Sequence, residues 1–146
     1  MAGDTRFAGT WNLVDAYAET DGKRKTFALG EGTEGRIMYD AAGNMAAQLM
    51  NPTRSPMSSR NPSALAPEEF REAYLGYTAY YGVYEVDDEA GTITHHVTGA
   101  LTPNWVGTDQ VRYFELEGNR VKLRTPPMTT RDGSRAVNVL IWERMD

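Results

Sequence analysis

Gly9-Thr10-Trp11-Asn12-Leu13, near the start of the chain, and Leu140-Ile141-Trp142-Glu143-Arg144, near its end, decide the reading of the fold. The Arg144 guanidinium can stack over the Trp11 indole only if the first and last strands lie side by side. The chain must then close on itself as a barrel. A barrel of about eight strands has an interior that either fills with side chains or holds one small ligand.

Working outward, turn signals recur at Asp21-Gly22, Ala42-Gly43-Asn44, 87–91, Glu117-Gly118-Asn119 and Asp132-Gly133. Between them lie short runs rich in β-branched and aromatic residues, the mark of an antiparallel up-and-down meander. The pattern predicts strands at 8–18, 25–29, 34–40, 44–50, 78–86, 91–101, 109–116, 120–125 and 135–143. Successive strand residues point to opposite faces, so Ile93, His95 and Val97 share one face, and Thr92, Thr94, His96 and Thr98 the other. The apolar set, with His95, is expected inside. Val121 and Leu123 likewise oppose Lys122 and Arg124. The last strand is apolar on both faces, as suits a strand covered on its outside or lining a homodimer contact. In 78–86, Tyr80, Gly82 and Tyr84 oppose Tyr81, Val83 and Glu85, and alternation alone does not say which set is interior. Glutamate is seldom buried, which favours a solvated Glu85; inside, it would need a partner such as Arg112 or a role as a base.

One segment interrupts the meander. Residues 51–66 carry Pro52, Pro56 and Pro62 among Ser, Asn and Arg, and a stretch of that length is usually a lid or a disordered loop. A short helix follows, with Pro67 at its first position and Glu68 and Glu69 at the positive end of its dipole. Phe70, Ala73, Tyr74 and Tyr77 fall on one face, expected to pack on the barrel or plug one end of it.

The composition suits a core-stabilised protein: 146 residues, 40% hydrophobic, 24% charged and no cysteine, read as one domain over 1–146. Absence of cysteine, of a basic-then-apolar N-terminus and of a membrane-length apolar run makes a cytoplasmic location the expectation. The net charge of −5, with 15 basic and 20 acidic residues interspersed, disfavours nucleic acid as a partner.

Several motifs dissolve on inspection. Gly30-Glu31-Gly32-Thr33-Glu34-Gly35 matches the dinucleotide fingerprint, but a strand follows it where a helix must, and two glutamates would face the phosphates. It reads as a tight loop at a barrel rim. His95 and His96 point to opposite faces and cannot share a metal, so neither metal nor cofactor is expected. No nucleophile elbow or cysteine nucleophile is present. His95, directed inward, is either a core histidine or a polar anchor or proton shuttle in a cavity. His96, among threonines, reads as solvated. Pro103-Asn104-Trp105-Val106-Gly107 joins two strands, where Trp105 and Asn104 either cap the barrel or form its mouth.

The stretches His95-His96-Val97, Pro103-Asn104-Trp105-Val106-Gly107-Thr108 and Gln110-Val111-Arg112, taken with the two end segments, resemble the lipocalin-like domain family. Gly35-Arg36-Ile37-Met38-Tyr39, Gly43-Asn44-Met45, Gln48-Leu49-Met50 and Tyr80-Tyr81-Gly82 are similar too, so the likeness covers nearly the whole chain. It implies an all-β protein with minor α content: a lipocalin-type antiparallel barrel around a central cavity, with an arginine packed over the first-strand tryptophan. It implies no single activity, because such barrels include both carriers and cofactor-free cyclases and isomerases.

Two functions follow as expectations. In the first, the barrel binds a small, largely apolar molecule through Gln48, Met50, Tyr80, Asn104, Trp105 and Arg112. In the second, it is a cofactor-free cyclase or isomerase of natural-product biosynthesis, acting on a polyketide- or terpenoid-like substrate. There His95 and Tyr84 would move a proton or polarise a carbonyl. The residues do not decide between them, and a filled barrel acting as an interaction module is a third possibility.

Overall fold

The computed structural model of the chain describes residues 3–129 and 133–145. Eight antiparallel strands close a barrel: β1 (Gly9–Thr20), β3 (Glu34–Tyr39), β4 (Asn44–Met50), β5 (Tyr77–Asp87), β6 (Thr92–Ala100), β7 (Asp109–Glu117), β8 (Arg120–Arg124) and β10 (Arg135–Met145). Each pairs with the next, and β10 returns to β1. Two short strands extend the rim, β2 (Lys23–Thr26) on β1 and β9 (Met128–Thr129) on β10. The second strand, expected at 25–29, lies earlier because Asp21 (φ 52°) and Gly22 (φ 75°) form a two-residue turn that carries the chain straight back along β1. Phe27 and Leu29 are thereby released to pack against the core. Asp132, half of one turn signal, lies outside the described residues.

The seam forms as the two end motifs require. Trp11 faces Arg144 in register, and the guanidinium carbon sits 4.3 Å from the indole centroid. Arg144 also donates to the carbonyls of Arg6 and Ala8, while the indole N–H donates to the Phe7 carbonyl at 2.8 Å. Gly9 makes room for this: at φ 138° it holds a conformation open to glycine, and a Cβ there would stand 2.6 Å from Arg144 Nη1.

Alternation places Ile93, His95, Val97, Val121 and Leu123 inside, all buried. On β5 the interior set is Tyr80, Gly82 and Tyr84; Tyr81 is 57% exposed and Glu85 points outward. Gly82 sits at a bulge where a Cβ would come 1.9 Å from the His96 carbonyl oxygen, so only glycine lets β5 and β6 approach there. On β10 both parities hold buried residues, Leu140 and Trp142 on one and Val139 on the other.

The helix α1 (Pro67–Leu75) departs from expectation. None of its residues is buried, Phe70 and Tyr74 are each more than 40% exposed, and Tyr77 belongs to β5. It neither plugs the barrel nor lays an apolar face on it. Instead it anchors the proline-rich segment. Ser58 N–H donates to Glu69, Ser55 N–H to Glu72, and Arg54 Nη1 to the Ala73 carbonyl. Asn61 caps a 3-10 turn at Pro62–Ala64 within that segment.

Candidate functional site

The two ends of the barrel differ in content. One is sealed by Phe7, Tyr39, Tyr84 and Phe114, whose rings meet edge to face with centroids 4.8–5.8 Å apart. The other holds a cavity of about 510 Å³, within the range of small-molecule sites. Its wall is largely aliphatic and aromatic, from Phe27, Ile37, Ala47, Leu49, Leu140 and Trp142, with Trp105, Pro126 and Pro127 contributed by connections and Met128 by β9. Polar groups enter mainly from β5, β6 and β7: Thr78, Tyr80, His95, Asp109, Gln110 and Arg112.

His95 is the centre of that polar side. It is 1% exposed, and each ring nitrogen meets a tyrosine hydroxyl: Nε2 lies 2.7 Å from Tyr39 and Nδ1 2.8 Å from Tyr80. Burial above all, then the neighbouring Arg112 and His96 charges, pulls its pKa down to about 3. The imidazole is therefore neutral near pH 7. Burial likewise raises the Tyr39 and Tyr80 phenols above their ordinary value, so both stay protonated. Arg112 spends Nη1 on the Val111 carbonyl and Nη2 on Gln110 Oε1. Among the described residues, two buried side-chain polar atoms have no hydrogen-bond partner, Thr78 Oγ1 and Trp142 Nε1, and both residues belong to the cavity wall.

Of the residues singled out from sequence, His95, Tyr80, Trp105 and Arg112 come together here, with the Trp105 and Tyr80 rings edge to face at 5.8 Å. The other four lie elsewhere. Tyr84 is at the sealed end, where its hydroxyl accepts from Asp4 N–H and donates to the Asp40 carbonyl, each at 2.9 Å. Gln48 and Met50 have the outward parity of β4, opposite to Met45, Ala47 and Leu49; Gln48 accepts from the Tyr77 hydroxyl outside the barrel. Asn104 is exposed in the 3-10 turn Pro103–Trp105. No residue of 51–66 lines the cavity.

Tyr39 was not singled out from the sequence. Its signal was available in β3, where Ile37 and Tyr39 alternate with Arg36 and Met38. Outside the barrel, His96 is more than a solvated residue. It bridges Glu85 at 2.8 Å and Asp109 at 2.7 Å, and these carboxylates, Asp109 foremost, raise its pKa. Among the described residues no group of three or more His, Asp or Glu side chains is placed to hold a metal ion, and no helix is long and apolar enough to cross a membrane.

Comparison with known proteins gives two matches. A family model described as a lipocalin-like domain covers residues 8–145. The chain is also 29% identical over 107 residues to the 4'-hydroxy-3'-methoxypropiophenone carrier protein ppsC of Aspergillus oryzae (strain ATCC 42149 / RIB 40), covering 69% of this chain and 96% of that one. No solved structure matches.

Proposed function

Because this chain belongs to the lipocalin-like domain family, we propose that it binds a small, largely apolar aryl molecule inside its barrel and acts as a carrier. One observation carries the reading: the cavity wall is apolar around a localised polar side, the layout that buries a ligand body while orienting one end of it. The name of the Aspergillus relative, an aryl ketone carrier, supports the same ligand class. Trp105 and Tyr80 offer ring faces and edges at the mouth, and Tyr80, Arg112 and Gln110 offer hydrogen bonds.

Carriage is favoured over proton-transfer catalysis by the state of His95. A general base works best with a pKa near the operating pH, and this imidazole, held to about 3 with both nitrogens occupied, is a poor acceptor at neutrality. Native mass spectrometry of the protein incubated with propiophenone tests the proposal. One retained molecule per chain is expected. Ala47→Phe, which fills the interior where Ala47 pairs with Ile37 and Tyr80, should abolish retention. Retention undiminished by that substitution would place binding outside the barrel.

A further inference from the structure

The row Tyr39–His95–Tyr80 contains more hydrogens than its internal bonds can use. A neutral imidazole has one N–H and one bare nitrogen, and each hydroxyl both donates and accepts. Two internal bonds therefore consume two of the three hydrogens. The third must point out of the row from one end or the other, and the ends are not equivalent.

Tyr39 is 2% exposed, is not part of the cavity wall, and among the described residues its hydroxyl meets only His95 Nε2. A proton left over at that end would be buried without an acceptor and would forfeit its hydration. Tyr80 is in the wall, and its hydroxyl can deliver the spare proton to the cavity. The lower-cost arrangement has Tyr39 donating to Nε2, Nδ1–H donating to the Tyr80 oxygen, and the Tyr80 O–H turned toward the guest. Protonating the ring would strand the Tyr39 hydrogen just the same and set a second cation near Arg112.

The rest of the polar side has the same character. Arg112 can only donate, the Trp142 indole N–H can only donate, the Asp109 carboxylate is engaged by His96 from outside, and Thr78 and Gln110 can donate as well as accept. We propose that the Tyr80 hydroxyl, oriented by Tyr39 through His95, is the donor to an acceptor oxygen of the bound molecule, so that the cavity selects ketones over hydrocarbons of the same shape. Tyr80 is the contacting residue and Tyr39 a positioning residue. The inference rests on the aryl-binding reading above.

The orientation is tested without any ligand by two-bond ¹H–¹⁵N NMR of the side-chain imidazoles at neutral pH, with His96→Gln to separate the two histidines. A neutral His95 protonated at Nδ1 is expected; an Nε2–H tautomer or an imidazolium overturns the proposal. The contact is tested by titrating wild type and Tyr80→Phe with propiophenone and with n-propylbenzene, which has the same outline and no carbonyl. Loss of one neutral hydrogen bond should weaken propiophenone by about three- to tenfold in Tyr80→Phe and leave n-propylbenzene within about twofold, which also certifies that the variant is folded. Equal affinity of wild type and variant for propiophenone overturns the donor role while the aryl-binding reading stands. Saturable binding of neither probe to wild type overturns that reading and the donor role with it.

Discussion

The sealed end and the cavity end of this barrel are built from the same strands and the same residue types, yet one is finished by the chain itself and the other is not. Around Trp11 and Tyr84 the buried side-chain polar atoms of the described residues find protein partners: the indole N–H a carbonyl, the Tyr84 hydroxyl an N–H and a carbonyl, the Arg144 guanidinium two carbonyls. Around Trp142 and Thr78 the indole and hydroxyl go unpartnered. Buried polar groups are ordinarily satisfied, so the contrast sets an end whose polar side chains are partnered within the chain apart from one where two are left over. Two tryptophans on neighbouring strands carry the lesson, since Trp11 is held by Phe7 and Arg144 while Trp142 is held by packing alone.

The comparison can be broken most forcefully at Trp11. Trp11→Ala should cost about 3–5 kcal/mol in urea unfolding, against about 2 kcal/mol for Leu140→Ala beside an existing cavity; equal losses would erase the distinction between the ends. Acid comes next. The unfolded chain takes up a proton at His95 near pH 6.5, whereas the folded chain refuses it until about 3. Stability should fall through that window as pH drops, by up to about 1.4 kcal/mol per pH unit, and His95→Gln should remove this component of the slope.

Tyr84→Phe sharpens the contrast in function. It should lower stability by about 1–2 kcal/mol and leave propiophenone affinity unchanged, whereas a loss of affinity would bring the sealed end into the site. The smallest effect belongs to His96 on the outer wall. Its raised folded pKa means that its contribution is complete below about 6.5 and is lost as pH rises through the folded value. His96→Gln should flatten the stability profile there, and an unchanged profile would show the Glu85 and Asp109 contacts to be energetically idle.

The barrel was legible in the sequence because closure needs only two distant residues of the right kind, and Trp11 and Arg144 supplied them. Strand faces were legible wherever apolar and polar residues alternate cleanly, as from Ile93 to Thr98, and that put His95 inside. Parity failed as a guide on β4. There Met50 is apolar but outward and Ala47 is small but inward, so side-chain type did not reveal the facing of Gln48 and Met50. Tyr84 shares the inward face with Tyr80, and alternation cannot say how deep each lies along the barrel axis; depth set one against the cavity and the other against Asp4 and Asp40. The helix misled for a different reason. Its spacing of aromatic residues is amphipathic, but the chain uses its carboxylates to hold residues 51–66 and leaves the aromatic face exposed.

The seam between β1 and β10 also governs how the molecule comes into being. In chain order the first strand of the barrel is zipped along most of its length to the last, so the growing sheet carries two bare edges until β10 is in place. Throughout that interval the backbone groups of Gly9–Thr20 that later bond β10 are open to any passing extended segment, and closing the ring is the event that withdraws them.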